Sequence, residues 1–148
     1  MERPSIDEYW TAIVPLIASR GTCPRRRVGA ILTDEAGKLV STGYNGSAPG
    51  APHCDVFPCP GSPVRNGERA DCESLHAELN ALLQASYSRR KPHTLYCSLT
   101  PCFPCAKALL TAGVRRVVAL ERYAHDDSGP RFLERNNVQV GVLSEVGR

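Results

Sequence analysis

No apolar stretch in this chain approaches the roughly 20 residues needed to span a bilayer. Aromatic residues make up only 6% of it, with a single tryptophan. There is no internal repeat, no low-complexity tail and no block of like charge, which sets aside solenoid, disordered and polybasic-tail architectures. The formal net charge is only +3, and the arginines are scattered rather than clustered. So weak a bias does not argue for nucleic acid, and a small anionic ligand suits it equally well. The opening MERPSIDEYW carries acidic residues and no apolar core, so it does not read as a signal peptide. These absences point to a cytoplasmic protein. Its 148 residues are expected to form one domain, 1–148, large enough to bury about two-thirds of the unfolded surface.

Cysteine is what the chain has in excess. Seven thiols in a cytoplasmic chain do not read as a disulfide framework, and metal ligation is the better reading. The odd number leaves one cysteine outside whatever the others do.

Ser5-Ile6-Asp7-Glu8 is a capping box that opens a helix running to about Ser19, with Pro15 expected to kink it. VGAILT (28–33) and KLVSTG (38–43) read as a strand pair joined by the tight turn Asp34-Glu35-Ala36-Gly37. From Tyr44 to about Asp71 the periodicity fails in favour of proline and glycine. A loop of about 28 residues is out of place in a compact domain unless something organises it. Regular order then returns as helix 74–88, strand 94–98, helix 102–112, strand 114–120, a short helix 130–135 and strand 138–143. In helix 74–88, Leu75, Leu79, Leu82 and Leu83 are read as the inward stripe. The alternation predicts an α/β fold. It is a three-layer α-β-α sandwich on a five-stranded mixed sheet, with the hairpin as its antiparallel edge.

The chemistry is carried by two short stretches. PCFPC (101–105) puts two thiols three apart where a strand hands over to a helix. The helix terminus lowers their pKa there and suits them to a cation. Alone, such a pair could be half a structural zinc site or a redox pair. His76 in HAE (76–78) supplies a third ligand. Two cysteines and one histidine leave one tetrahedral position of Zn²⁺ open, the arrangement of a catalytic site that activates water. Glu78, two residues on, is placed to act as general acid/base without ligating the metal. His-x-Glu followed by Pro-Cys-x-x-Cys is the zinc deaminase signature.

More of the chain narrows this. RGTCPRRRVGAIL, STGYNGSAPGAPHC, LHAELNALLQ, LYCSLTPCFPCAKALLTAGVRRVV and NNVQVGVL occur in that order over nearly the whole length. Together they resemble the deoxycytidylate (dCMP) deaminases of the cytidine deaminase-like superfamily. The resemblance implies zinc-dependent hydrolysis of dCMP to dUMP and ammonia, which feeds thymidylate synthesis, with Glu78 as proton shuttle. It implies that Asn45 binds the sugar, that Ala77 borders the substrate, and that Arg3, Arg25 and Tyr123 grip the 5′-phosphate. Arg26 or Arg27 could take the place of Arg25, with Arg122 next in line. Guanidinium forks are what a phosphate dianion calls for. The GYNG loop, Gly43, Tyr44, Asn45 and Gly46, would take dCTP as activator and dTTP as inhibitor, with Mg²⁺ entering only alongside such a triphosphate. A homohexamer is also implied.

Cys23, Cys54, Cys59 and Cys72 fall in and around the loop that lacks periodicity. Four thiolates make a closed structural zinc site able to organise it. Some similar bacterial and phage enzymes carry a second zinc here, some with histidine at the place of Cys59, and His53 is the competing ligand. Cys97 is left as core packing. LYCSLTPC and the segment after Tyr123 depart from the commonest family form. That leaves a 5-substituted dCMP, dCTP or another nucleotide or nucleobase as alternative substrates. A non-catalytic two-zinc module that binds nucleic acid is the rival of another class. It has no use for a carboxylate beside a three-ligand site.

Overall fold

The computed structural model describes residues 1–62 and 71–145. Helix α1 (Ile6–Ala18) starts at the capping box: Ser5 Oγ accepts from Glu8 N at 3.2 Å while the Glu8 carboxylate accepts from Ser5 N at 2.7 Å. The helix continues through Pro15, whose ring lies on the exposed side. Five strands follow: β1 (Gly29–Thr33), β2 (Leu39–Tyr44), β3 (Thr94–Leu99), β4 (Arg116–Glu121) and β5 (Gln139–Val142), in the spatial order β2-β1-β3-β4-β5. β1 is antiparallel to both neighbours, and β3, β4 and β5 are parallel. Helices α2 (Ala77–Ala85), α3 (Phe103–Thr111) and α4 (Ser128–Arg135) complete the described elements, with a 3₁₀ turn at Leu143–Glu145.

Period-2 alternation sorts the strand residues onto two faces. Ala30, Leu32, Leu95, Cys97, Val117 and Ala119 pack against Ala77, Ala81, Ala106, Leu109 and Leu133 of α2, α3 and α4. Ile31, Tyr96 and Val118 face the other way, onto Val14, Trp10, Ile13 and Ile17 of α1. This is the three-layer sandwich expected from the sequence. α1 is fastened to its face by a buried-edge clamp. Asp7 accepts Tyr96 OH at 2.7 Å and Arg116 Nη1 at 2.7 Å, with Arg116 Nη2 on its second oxygen. The Arg116 guanidinium holds the Asp7 carboxyl below its ordinary range, and burial pushes the Tyr96 hydroxyl up to about 12.

The leucine stripe is corrected by the structure. The buried positions of α2 are Ala77, Glu78 and Ala81, whereas Leu83 is exposed. The reason is the closeness of α2 to the sheet: Ser41 Oγ on β2 donates to Ala81 O at 2.7 Å, a separation that only small side chains permit. The helix also starts later than its periodicity implied. Leu75 is held in an extended bridge with Gly46 by two hydrogen bonds of 3.1 and 2.8 Å, so His76 becomes the N-cap. No described helix is long and apolar enough to cross a membrane.

Candidate functional site

Two helix N-termini and the carboxyl end of β3 converge on one point, the edge where open α/β sheets usually hold ligands. His76 is the N-cap of α2 and Cys102 the N-cap of α3, both with extended backbone and neither making a side-chain capping bond. Cys105 lies in the first turn of α3. His76 Nδ1 is 3.4 Å from Cys102 Sγ and 3.4 Å from Cys105 Sγ. Among the described residues this is the one group of three or more ligating side chains whose atoms all lie within 4.8 Å of one another. Ligands at zinc–sulfur and zinc–nitrogen bond lengths around a tetrahedral ion stand about 3.5 Å apart, so the donor set fits that ion. A hydrogen bond from the Cys105 thiol, helped by His76, lowers Cys102 to about 4, and the same bond raises Cys105. The arrangement therefore favours the thiolate form at Cys102, the form that ligates a cation.

Glu78 is buried on the inward face of α2, 5% exposed, with its carboxyl in hydrogen-bonding reach of Cys105. Burial raises its pKa, the condition for a carboxyl that both takes and gives a proton. Cys97 lies beneath on β3, fully buried and held protonated by burial and by the charge of Glu78, as core packing requires.

A cavity of about 170 Å³ opens over this group. Of the residues expected around a substrate, Asn45, Arg25, Tyr123 and Ala77 line it, together with Arg26. Arg3 does not; it is exposed near the start of the chain. Arg27 also lies outside the lining, and Arg122 is engaged by Glu145 at 2.9 and 3.1 Å. Asn45 does more than border the cavity. Its Oδ1 accepts from Val28 N at 2.8 Å and its Nδ2 donates to Arg26 O at 2.6 Å, so the amide pins the segment that presents the arginines. Tyr123 is set at the rim by Thr100, whose Oγ1 accepts from Tyr123 N at 2.9 Å.

Sequence reasoning missed Val28 and Ser74 in the lining, whereas Leu99 and Thr100 lie in the LYCSLTPC stretch whose departure from the family form bears on the substrate. An apolar or hydroxyl residue facing a cavity carries the same periodicity as one facing the core, so no local signal marks it. Gly43, Tyr44 and Gly46 line a second, shallower recess of about 640 Å³ against α2, where Asn80 Nδ2 donates to Tyr44 O at 2.8 Å. The recess adjoins α2, because the Gly46–Leu75 bridge ends one residue before His76.

The other four thiols are neighbours as well. Cys54 Sγ accepts from Cys59 N at 3.3 Å, and the Cys59 thiol shares hydrogen bonds with those of Cys54 and Cys72. Burial raises Cys54 and Cys72, while the backbone N–H of Glu73 lowers Cys59. Cys23 and Cys72 also line the cavity.

The cytidine and deoxycytidylate deaminase zinc-binding region matches residues 4–121. The deoxycytidylate deaminase of Mycobacterium phage D29 is 35% identical over 124 residues, covering 80% of this chain and 96% of that protein. The Schizosaccharomyces pombe enzyme of the same name is 37% identical over 142 residues, 93% of this chain. The chain spans about half the length of its yeast relatives, 44% of the S. pombe protein and 46% of that from Saccharomyces cerevisiae. The crystal structure of dCMP deaminase from cyanophage S-TIM5 in complex with dCMP and dUMP superposes with a TM-score of 0.79 at 28% identity, covering 96% of this chain and 99% of that one.

Proposed function

The chain belongs to the cytidine and deoxycytidylate deaminase family, and from that premise we propose that it hydrolyses dCMP to dUMP and ammonia, supplying dUMP for thymidylate synthesis. His76, Cys102 and Cys105 hold zinc, which when bound supplies Lewis-acid activation of water. Glu78 does the proton work. Its carboxylate takes a proton from water, delivers it to ring N3, and passes a second to the departing amino group, so that dCMP and water become dUMP and ammonia. The observation that carries this reading is the buried carboxyl with raised pKa, in contact with the thiol of a three-ligand group on the floor of a cavity. A nucleic-acid module that holds zinc only for structure has no use for that carboxyl. Asn45, Ala77, Arg25 and Tyr123 surround the nucleotide, with the arginines of the 25–26 segment on its phosphate.

Around this centre the reading extends to a single catalytic domain working in the cytoplasm as a homohexamer. A second, structural zinc on Cys23, Cys54, Cys59 and Cys72 is supported by the contacts of Cys59 with Cys54 and Cys72, although these sulfurs are not gathered within 4.8 Å of one another as the helix group is. dCTP and dTTP, with Mg²⁺ accompanying them, act at the recess lined by Gly43, Tyr44 and Gly46. Ammonia release from dCMP, CMP, dCTP, a 5-substituted dCMP and deoxycytidine, each with and without dCTP, tests the proposal. dCMP is expected to be the best substrate, and preference for any other member of the panel reassigns the substrate.

A further inference from the structure

Arg25 is not oriented by its own turn alone. Its Nε and Nη2 both donate to the carbonyl of Gly61, at 3.1 and 2.5 Å, far along the chain in the cysteine loop. Gly61 lies between Cys59 and Cys72, and its backbone rests so closely on Asp71 and Cys72 that a Cβ there would overlap Cys72 N. That carbonyl is therefore placed by the packing of the loop, and the loop is gathered by the contacts of Cys59 with Cys54 and Cys72. Cys23 and Cys72 meanwhile form part of the cavity wall beside Arg25. The thiol cluster and the cationic side of the cavity are one continuous piece of structure.

We infer that the cysteine loop is the positioning device for phosphate recognition: the Gly61 carbonyl, fixed by the thiol cluster, aims Arg25, and the preference for nucleotide over nucleoside depends on it. This rests on the nucleotide reading above. Arginine suits the task because two N–H groups on one edge of a planar fork can be held by one acceptor, which fixes the direction of the whole guanidinium. An ammonium has no such edge. Linkage makes the effect reciprocal: if the loop prepares Arg25 for phosphate, then phosphate on Arg25 stabilises the loop by the same free energy.

Hydrogen–deuterium exchange of the full chain with saturating dUMP or deoxyuridine reads this directly. Amides of residues 54–62 are expected to exchange about tenfold more slowly with dUMP and to show no such slowing with deoxyuridine, a tenfold change corresponding to 1.4 kcal/mol. Arg25→Lys and Arg25→Ala should bind dUMP about tenfold more weakly, by calorimetry, and lose the protection. In kinetics, Cys59→Ser should raise KM for dCMP far more than it lowers kcat, and should add nothing to KM once Arg25 is already alanine. Should Cys59→Ser fail to fold, the Arg25 variants decide. Protection of 54–62 by deoxyuridine as strong as by dUMP overturns the inference, as does protection that survives in Arg25→Ala. Failure of the wild-type chain to bind dUMP at all overturns the nucleotide reading beneath it, which is a different result.

Discussion

His76, Cys102 and Cys105 stand at the first positions of two helices that pack on the sheet, whereas Cys23, Cys54, Cys59 and Cys72 all lie outside helices and strands. The first group inherits its geometry from the core: Ala77, Ala81, Ala106 and Leu109 are fully buried, so the ends of α2 and α3 have little room to move. The second group has no such scaffold: backbone N–H groups of Cys59, Glu73 and Ser74 approach its sulfurs, and the Cys59 thiol meets those of Cys54 and Cys72. The comparison separates two uses of the same side chain. In the proposed function the thiols on the helices are brought to a fixed point for chemistry, and those on the loops supply order that the backbone lacks.

The hardest blow to the first group leaves its ligands untouched. Glu78→Gln should cost 10² to 10⁴-fold in kcat, roughly 3 to 5 kcal/mol of barrier, while the metal content of the purified protein stays the same. A rate above about a tenth of wild type would remove Glu78 from the proton path.

Next in size is the loop. Cys59→Ser and Cys72→Ser should each lower the zinc content from two ions per chain to one, by metal analysis, and destabilise the fold by about 3 kcal/mol in thermal or denaturant unfolding. Two zincs and an unchanged melting temperature in both variants would show that these thiols form no second site.

A substitution remote in sequence should reach the first group through packing. Gly129 at the start of α4 lies against the Pro101–Cys102 backbone, and a Cβ there would overlap Pro101 O. Gly129→Ala should therefore cost about 1 to 3 kcal/mol of stability and weaken metal retention at the helix site, leaving the loop thiols loaded. Equal loss from both sites would mean that the two are not independently scaffolded.

The smallest effect is a control far from either group. The Asp7 carboxyl is held below its ordinary value, chiefly by Arg116. It stabilises the fold above the unfolded-state pKa, and that contribution is lost as pH falls from about 4 through the folded-state value. Both side chains are about a third exposed, which limits the contribution to about 1 kcal/mol. Asp7→Asn should cost that amount at pH 7 and flatten the acid limb of the stability curve. An unchanged acid limb would show that the clamp is thermodynamically silent.

The helix site was legible in the sequence because helices convert short spacings into fixed geometry. Cys102 and Cys105, three apart, share the first turn and its approach, and His-x-Glu puts one ligand at a cap and one carboxyl on the inward face. The strands were legible as short runs bounded by turns, and GAILT is a continuous buried run, as a central strand covered on both faces requires. What the sequence misjudged depends on contacts between distant segments. Leucines were assigned inward on α2 because they are the larger hydrophobes, but the nearness of Ser41 to Ala81 reserves that face for alanine. Arg3 and Arg25 look alike as charges, and only the fold lays one against the cavity and leaves the other outside it. That Cys23 and Cys72 border the cavity could not be read from spacing, since nearly fifty residues separate them.

His76 and Cys102 occupy the positions where serine, threonine, asparagine or aspartate would ordinarily satisfy the first amides of a helix, and neither makes that bond. Substituting a good capping residue is typically worth about 0.5 to 2 kcal/mol. In the metal-free chain His76→Ser and Cys102→Asp would therefore be gains of that size, each at the loss of a proposed ligand, whereas with metal bound the loss of the ligand outweighs the cap. At these two positions capping the helix and holding a cation exclude one another. A stabilised variant of this chain that keeps its activity must draw its improvements from elsewhere, such as the exposed face of α1.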